Sequence, residues 1–399
     1  MKILALSENY PLWDRASGDL RYFQFLRALS RNHEVWLCPY YAADEAATIG
    51  AAETGRYRRE TEALGVRVWD HGVLPLLRRQ KFDTVVFEFY MAALEWLDAV
   101  RFYQPQAIAV VDSVDLHFRR LSSMAAVTAS EHDASVLADT KQRELDAYRR
   151  ADVIITVTEE DRACLVAELP NARTFTIPNI HTIPQIDKAR KVVSDSILFV
   201  GSFLHAPNED AVLYFVREIF PQVISARPEA RLRIVGNAPT EVIKKLASDR
   251  IEVLGYVPST APYLCAAKVS IAPLRFGAGI KGKIGEAMSF GIPVVTTSVG
   301  SDGFGLAPGT HALVNDDPRE FASSVIRLLK DDRYARTIGE AGRCFIEQHF
   351  SETAVGRLID DFVKSLGDCR PKRLKLRRRV KRGLMDWYDR TIAWRLKQV

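Results

Sequence analysis

The sequence holds few residues or motifs that would indicate covalent cross-links, a bound metal or a membrane span. Its 399 residues include five scattered cysteines, with neither a CxxC pair nor a Cys/His spacing typical of zinc sites. We therefore expect reduced thiols, as in a cytoplasmic protein. No window offers about eighteen uninterrupted apolar residues, which argues against a spanning helix. The opening MKILALSENYPLW has too short an apolar run for a secretory signal.

Charge is unevenly distributed along the chain. Hydrophobic residues make up 47% and charged residues 26%, as is usual for a soluble globular protein, and the length favours two domains. The formal net charge is +5, but residues 371–399 alone hold eleven Lys or Arg against two Asp. A mildly acidic body therefore carries a basic tail.

Short apolar runs, typical of strands, alternate with segments whose apolar residues have helical spacing, and this pattern occurs in two successive blocks. The first contains KILALS, HEVWLCPY, FDTVVFEF, AIAVVDSVD and ADVIITVT, and the second contains ILFVGSF, LRIVGNAP, IEVLGYV, VSIAPL and IPVVTT. This alternation predicts an α/β protein with two doubly wound, Rossmann-like domains. We assign residues 1–180 to the first domain, 181–195 to a linker, 196–350 to the second domain and 351–370 to a closing helix that packs back on the first domain. Residues 371–399 are predicted to form a basic amphipathic helical tail.

The glycine-rich stretch RFGAGIKGKIGEAMSFGIPVV, residues 275–295, has the chemistry of an anion site. It follows a predicted strand, and ligands of open α/β sheets bind at the carboxyl ends of the strands. Its glycines let the backbone approach a ligand closely, and the helix that begins near Lys283 offers free N–H groups. Arg275 and Lys281 add positive charge. These features suit a diphosphate, although a glycine-rich turn with solvated lysines fits the same pattern.

Glu286 extends the pattern towards a nucleotide. It lies three residues after Lys283, so both side chains can face one ligand. A carboxylate repels phosphate but accepts hydrogen bonds from the hydroxyls of a ribose. The alternative, a first-turn glutamate that stabilises its own helix dipole, is equally compatible with the residues.

The stretch also resembles the donor-site signature of retaining family 4 glycosyltransferases, which have the GT-B fold. The segments that carry this resemblance are GKIGEAMSFGIPVVTTSVGSDGFGL, FVGSFLHAPNEDAVLYF, LRIVGNAP, LGYVPSTAPYLCAAKVSIAPLRFGAGIKGK and RADVIITVTEEDRACL with IPNIH. In addition, DRASGDLRYFQFLRALSRNHEV and VDSVDLHFRR are similar to the amino-terminal half of a subgroup common in bacterial surface-polysaccharide clusters. The resemblance covers roughly residues 1–365.

The resemblance implies two domains that face each other across a cleft, with a nucleotide-diphosphate sugar on the second and an acceptor mainly on the first. Glu286 would bind the ribose, Arg275 and Lys283 would act on the diphosphate, and His117 would lie near the transferred sugar. The other donor-binding residues that it implies are Ser17, Gly18, Gly201, His205, Gly236, Tyr256, Val257, Gly277, Ala278, Gly279 and Ile280. The sequence departs from the family at Ala278, where a glutamate commonly contacts the donor sugar.

The implied activity is transfer of a sugar to a glycan or a lipid-linked saccharide, with retention of configuration, in surface-polysaccharide biosynthesis. Cations and amide dipoles would stabilise the departing diphosphate, so the reaction needs no carboxylate nucleophile. No Asp-x-Asp motif stands in a donor-like context, and we expect neither a cofactor nor a metal ion. The alternatives are a sugar-nucleotide epimerase or phosphorylase, and a non-catalytic relative that acts as a binding or assembly module.

His117 follows the predicted strand end AVVD, where functional residues collect. From the residues alone, a surface or helix-capping histidine is the simpler interpretation, and the resemblance is what favours a role near the sugar and acceptor. Asp112 and Asp115 are candidates to orient it or to cap the following helix.

The tail RPKRLKLRRRVKRGLMDWYDRTIAWRLKQV predicts a helix with two apolar sides. One side holds Met385, Tyr388, Ile392 and Leu396, and the other holds Trp387 and Trp394. Basic residues beside Trp and Tyr suit an anionic membrane surface, which predicts a cytoplasmic protein peripheral to the inner membrane. A solvated charge run or a nucleic-acid-binding arm is the alternative. We favour the membrane and expect no nucleic-acid partner.

Overall fold

The computed structural model describes residues 1–128, 131–186, 192–277 and 279–389 and contains two parallel sheets. The strands of the first sheet are β1 Lys2–Ser7, β2 Glu34–Pro39, β3 Arg67–Val68, β4 Thr84–Glu88, β5 Ile108–Asp112, β6 Val153–Thr156 and β7 Thr174–Thr176. They lie in the order β3-β2-β1-β4-β5-β6-β7. The central strands β4 and β5 are buried along their whole length because helices cover both faces of the sheet.

Helices connect successive strands of the first sheet. They are α1 Ser17–Ser30, α2 Ala42–Ile49, α3 Ala51–Ala63, α4 Val73–Arg79, α5 Phe89–Tyr103, α6 His117–Thr128, α7 Glu131–Arg150 and α8 Glu159–Glu168. Helix α5 begins directly at the end of β4, and Phe89 takes a positive φ of 61° at this junction. The carboxyl end of the sheet therefore turns sharply into a helix beside Glu88, which is paired in register with Asp112 of β5.

The second sheet repeats the strand order of the first. Its strands are β8 Ser196–Val200, β9 Arg231–Val235, β10 Ile251–Gly255, β11 Val269–Ala272, β12 Val294–Thr296 and β13 Leu313–Val314. They lie in the order β10-β9-β8-β11-β12-β13. Each sheet thus contains the doubly wound order 3-2-1-4-5-6, in which the switch point between the first and fourth strands opens a crevice for ligands. This result confirms the prediction of two Rossmann-like domains.

The helices of the second half surround this sheet and continue beyond it. They are α9 Ala206–Tyr214, α10 Phe220–Ala226, α11 Glu241–Lys244, α12 Ala261–Ala266, α13 Gly282–Ser289, α14 Ser298–Ser301, α15 Pro318–Lys330, α16 Asp332–Phe350, α17 Glu352–Leu366 and α18 Leu376–Tyr388. A π-helical turn, Phe215–Ile219, joins α9 to α10. None of the helices within the described ranges is long and apolar enough to cross a bilayer.

Two of these helices return to the first domain. Val355, Ile359 and Phe362 of α17 are buried in the same apolar cluster as Tyr22 and Phe25 of α1. Helix α18 packs on α5, on the outside of the first domain. The chain thus passes from the first domain to the second and back again.

Candidate active site

Two glycines lie close together at the carboxyl edge of the second sheet, where they follow the neighbouring strands β8 and β9. A Cβ on Gly236 would lie 1.9 Å from the carbonyl oxygen of Gly201, so no side chain fits there. The Gly201 amide donates to the Val235 carbonyl at 2.9 Å, which fixes this close approach. The two glycines therefore leave the mouth of the crevice open beside the first turn of α9.

Lys283 lies at the start of α13, on the floor of this crevice. Its Nζ donates to the side-chain oxygen of Asn208 and lies 4.6 Å from the ring centroid of Phe199. Desolvation in the crevice, with a smaller effect from Lys281, lowers the pKa of Lys283 to about 7. A cation that binds an amide oxygen and remains partly accessible is prepared for an anionic ligand.

Glu286 lies one turn further along α13 and faces a different neighbour. Its Oε1 accepts a hydrogen bond of 2.5 Å from the hydroxyl of Thr260, and desolvation raises the pKa of its carboxyl. Thr260 belongs to the loop that follows β10, which also contains Tyr256 and Val257. Lys283 and Glu286 thus define two ends of one site, one cationic and one able to accept hydrogen bonds. Thr260 was not predicted; the polar run PSTAP after a strand end is the only signal for it.

Two helix amino termini meet at this site. A Cβ on Gly282 would lie 2.6 Å from the Cβ of Ser17, so the start of α13 packs directly against the start of α1. Neither helix has a side-chain cap at its N-terminal boundary. Gly18 lies beside Val114 of the first domain, with 3.4 Å between its Cβ position and Cγ1. Uncapped N–H groups from both domains thus converge close to Lys283, where they favour an anion.

The glycine loop before α13 also contacts the first domain. Gly277 and Gly279 have positive φ angles of 145° and 66°, and the Gly277 amide donates to the Ser123 hydroxyl at 3.3 Å. Ile280 is buried, whereas Ala278 lies outside the described residues. Part of the predicted amide cradle therefore bonds to α6 in this structure.

Arg275 lies at the outer edge of the site. Its Nε donates to Asp210 at 2.8 Å, and its guanidinium stacks on the ring of Tyr214 at 5.2 Å. Both partners belong to α9. The structure thus gives Arg275 neighbours other than Lys283 and Glu286.

His205 and Tyr256 lie on opposite borders of the crevice. His205 is exposed just before α9, and the surrounding protein still desolvates its ring enough to lower its pKa. The hydroxyl of Tyr256 donates to Asp14 at 3.2 Å, which joins the loop after β10 to the loop before α1. The cleft is closed at this border by a contact between the domains.

His117 begins α6 on the opposite wall of the cleft. Its Nε2 lies 3.1 Å from Oδ1 of Asp115, and its ring packs against Phe89 and Tyr90 with centroids 5.5 and 5.3 Å away. Asp112 instead forms a buried ion pair with Arg21 at 2.7 Å. Asp115 is thus the carboxylate that orients the ring.

Acidic side chains surround the carboxyl ends of β1 and β4 next to His117, and the sequence analysis did not single them out. Burial raises the pKa of Glu88 well above its ordinary value. Desolvation raises the pKa of Glu8, and the negative charge of Glu95 raises it further. Burial also raises the pKa of Asp19 to about 6. The only available signal was the position of Glu8 and Glu88 at the ends of β1 and β4, since burial depends on the folded structure. This wall is suited to hydroxyl groups rather than to anions.

An ionic network links the two walls. Arg119 of α6 donates to Asp161 at 2.6 Å and to Asp302 of the second domain at 2.8 Å. Lys281 is buried near Asp302, with 4.0 Å between Nζ and Oδ2, and its pKa is lowered to about 8 by burial. Lys281 therefore belongs to the domain contact, and Lys283 is the lysine of this loop that faces the crevice. Across the described ranges, no group of three His, Cys, Asp or Glu side chains is arranged to hold a metal ion.

Comparison with known proteins agrees with this architecture. The structure is similar to sucrose-phosphate synthase from Thermosynechococcus elongatus, with a TM-score of 0.64 and 16% identity over 92% of this chain and 99% of the other. It is equally similar to Anabaena HepE in complex with UDP and glucose, with 15% identity over 92% and 100% of the two chains. Residues 194–331 match the family described as glycosyl transferases group 1. Residues 194–331 are thus similar to group 1 glycosyltransferases, and the chain as a whole has a GT-B fold. The prediction of a GT-B fold is confirmed, and the family 4 assignment stays a prediction.

Two curated relatives match parts of this chain. A GDP-mannose-dependent monoacylated alpha-(1-6)-phosphatidylinositol monomannoside mannosyltransferase from Corynebacterium glutamicum is 30% identical over 159 residues, 36% of this chain and 42% of the relative. An uncharacterized 44.6 kDa protein in the cps region of Klebsiella pneumoniae is 28% identical over 169 residues, 40% and 44% of the two chains. The chain spans less than half the length of these curated relatives.

Proposed function

We propose that the protein transfers a sugar from a nucleotide-diphosphate donor to a saccharide acceptor. The observation that carries this proposal is the meeting of the α1 and α13 amino termini beside Lys283, with Glu286 one turn away. The two helix amino termini and Lys283 suit a diphosphate, and Glu286 suits a ribose. The HepE complex with UDP and glucose supports a donor of this chemical class.

The proposed reaction retains the configuration of the sugar. Lys283 and the helix amino termini would stabilise the negative charge that grows on the departing diphosphate. The acceptor hydroxyl would attack from the same face and give its proton to a phosphate oxygen of the leaving group. His117, oriented by Asp115, would position the acceptor or the transferred sugar. No metal ion is needed in this scheme, because protein cations perform the neutralisation.

The acceptor that we propose is a glycan or lipid-linked saccharide of a surface polysaccharide, met at the cytoplasmic face of the inner membrane. The carboxyls of Glu8, Asp19 and Glu88, whose pKa values desolvation raises, can accept hydrogen bonds beside His117 and support an acceptor end that presents hydroxyls. The relative in a Klebsiella cps region supports the polysaccharide role.

A ligand panel tests the proposal. UDP-, GDP- and dTDP-sugars are added separately to the purified protein, and the thermal unfolding midpoint and nucleotide release with added glycan acceptors are recorded. We expect stabilisation by at least one donor, and the absence of stabilisation by all of them would contradict the proposal. Binding without any nucleotide release would instead support a non-catalytic binding module.

Two variants identify the parts of the site. Lys283→Met should weaken binding of both the matching nucleoside diphosphate and inorganic pyrophosphate, because both carry the diphosphate charge. Glu286→Gln should weaken binding of the nucleoside diphosphate and leave pyrophosphate binding unchanged. An equal effect of Glu286→Gln on both ligands would exclude the ribose role. Activity that is lost in EDTA and restored by magnesium or manganese would contradict metal independence.

A further inference from the structure

Helix α18 exposes an apolar stripe on the outside of the first domain. Leu376, Val380 and Leu384 recur every four residues, so they lie on one face, and they are 76%, 55% and 63% exposed. Trp387 falls on the same stripe and is 58% exposed. Large apolar side chains in a contiguous exposed row mark a surface that contacts a partner or a membrane.

The sequence analysis named Trp387 of this stripe but not Leu376, Val380 or Leu384. Packing against α5, rather than helical spacing alone, decides which face of α18 points outward. Met385, from the other predicted side, is also exposed, at 47%. The other residues of the two predicted sides, Ile392, Trp394 and Leu396, lie outside the described residues.

The inner face of α18 is held firmly by the first domain. The carboxylate of Asp386 accepts hydrogen bonds from Arg78 and from the Tyr103 hydroxyl. Arg378 donates to Asp98 at 3.4 Å. Gly383 faces the Phe102 ring, which lies 3.8 Å from its Cβ position. The outer face is therefore presented by a helix with a fixed orientation.

The outer face also carries positive charge. Arg377 and Lys381 are exposed next to the stripe, and Arg379 is exposed on its other side. Neither a solvated charge run nor a nucleic-acid-binding arm explains the exposed leucines. An apolar row between cations fits an anionic lipid surface, where the row enters the headgroup boundary and the cations meet lipid phosphates.

We infer that α18 docks the first domain on an anionic bilayer through Leu376, Val380, Leu384 and the flanking basic residues. This inference names the surface that would serve a lipid-linked acceptor, but it does not rest on the donor site. Vesicle binding and nucleotide binding can therefore fail separately, so failure of one is distinguishable from failure of the other.

Vesicle cosedimentation of the full chain tests the inference. The probes are vesicles of phosphatidylcholine mixed with phosphatidylglycerol, and vesicles of phosphatidylcholine alone. We expect binding to the anionic vesicles that weakens as salt is raised, since screening shortens the reach of the charges. No binding to anionic vesicles, or equal binding to both kinds, would overturn the inference. So would preference for a duplex oligonucleotide over the anionic vesicles in direct competition.

Matched variants separate the stripe from general surface effects. Val380→Ser with Leu384→Ser should weaken vesicle binding roughly tenfold or more, because two large apolar groups no longer enter the bilayer. The control is Val136→Ser with Leu358→Ser, which changes one Val and one Leu that are 42% and 37% exposed elsewhere. Equal vesicle binding by both double variants would overturn the role of the stripe. Unchanged far-ultraviolet circular dichroism and unchanged nucleotide binding would show that the variants are folded.

The flanking charge has its own control. Arg377→Gln with Lys381→Gln should weaken binding to the anionic vesicles by roughly tenfold to thirtyfold, given the usual contribution of each basic residue near such a surface. Arg59→Gln with Lys330→Gln changes the net charge equally at exposed positions on α3 and α15. If the two pairs had the same effect, net charge rather than α18 would be responsible.

Discussion

Lys283 is a residue whose protonation is coupled to ligand binding in the proposed site. With a pKa lowered to about 7, its amine is partly neutral near neutral pH in the unliganded protein. A bound diphosphate would favour the charged form and raise the pKa of the amine again. Below pH 7 the amine is already protonated before binding. Above pH 7 binding must draw a proton from solvent, so affinity should fall as pH rises.

Calorimetry of nucleoside diphosphate binding measures this coupling. In two buffers with different ionisation enthalpies at pH 8, the wild-type protein should take up close to one proton. Lys283→Met should take up less and bind about tenfold more weakly, yet its unliganded form should unfold at a higher temperature because a desolvated amine has been removed. Lys330→Met, on the surface, is the control. Full proton uptake by Lys283→Met would assign the coupling to another group.

Glu45 provides a second titration at the residue scale. Its Oε2 accepts a hydrogen bond from the Tyr10 amide at 3.2 Å, and burial raises the pKa of its carboxyl to about 7. Because the folded pKa exceeds the unfolded one, its contribution to stability is complete below about pH 4.5 and is lost as pH rises through 7. The unfolding free energy of Glu45→Gln, measured relative to wild type, should therefore rise by about 1 to 3 kcal/mol when the pH is raised from 5 to 8. Urea titrations of both proteins at the two pH values measure this change. An equal stability difference at pH 5 and pH 8 would show that Glu45 does not titrate in this range.

At the scale of elements, α13 depends on glycines for its position. A Cβ on Gly285 would lie 2.2 Å from Nε2 of His181, whereas a Cβ on Gly356 of α17 would have nothing within 4 Å. Gly285→Ala should displace the helix, lower the unfolding free energy by about 1 to 3 kcal/mol and weaken nucleotide binding. Gly356→Ala should instead raise the unfolding free energy by about 0.5 to 1 kcal/mol, because alanine restricts the unfolded chain. Denaturant unfolding of the pair is the measurement, and a stable Gly285→Ala protein would show that His181 moves at little cost.

The elements also show how far sequence patterns extend. Alternating apolar runs predicted both parallel sheets, and a three-residue spacing predicted that Lys283 and Glu286 share one helix. Partners distant in sequence could not be predicted, such as Asp210 for Arg275 or Thr260 for Glu286, because only folding brings them together. The raised pKa of Glu88 likewise depends on burial at a strand end. The role of Arg275 on the diphosphate stays a prediction.

At the scale of the whole molecule, Arg119 and Asp302 tie the two domains together. Asp302→Asn should weaken this tie and leave Lys281 near a neutral amide, so the cleft should open in the absence of nucleotide. Small-angle X-ray scattering should then give a larger radius of gyration than for wild type. Asp332→Asn, which removes an ion pair with Lys268 within the second domain, is the matched control. An unchanged scattering curve for Asp302→Asn would indicate that other contacts hold the cleft closed.

The return of the chain to its first domain constrains how such an opening can proceed. The outward passage near His181 and the return passage at Ser351 lie side by side, with the His181 amide donating to the Phe350 carbonyl at 2.8 Å. Two neighbouring crossings permit rotation about an axis through this point and oppose sliding or twisting of one domain over the other. Opening of the cleft would then move Lys283 and Glu286 along an arc centred on His181, so the distance from this pivot sets how far each site residue travels.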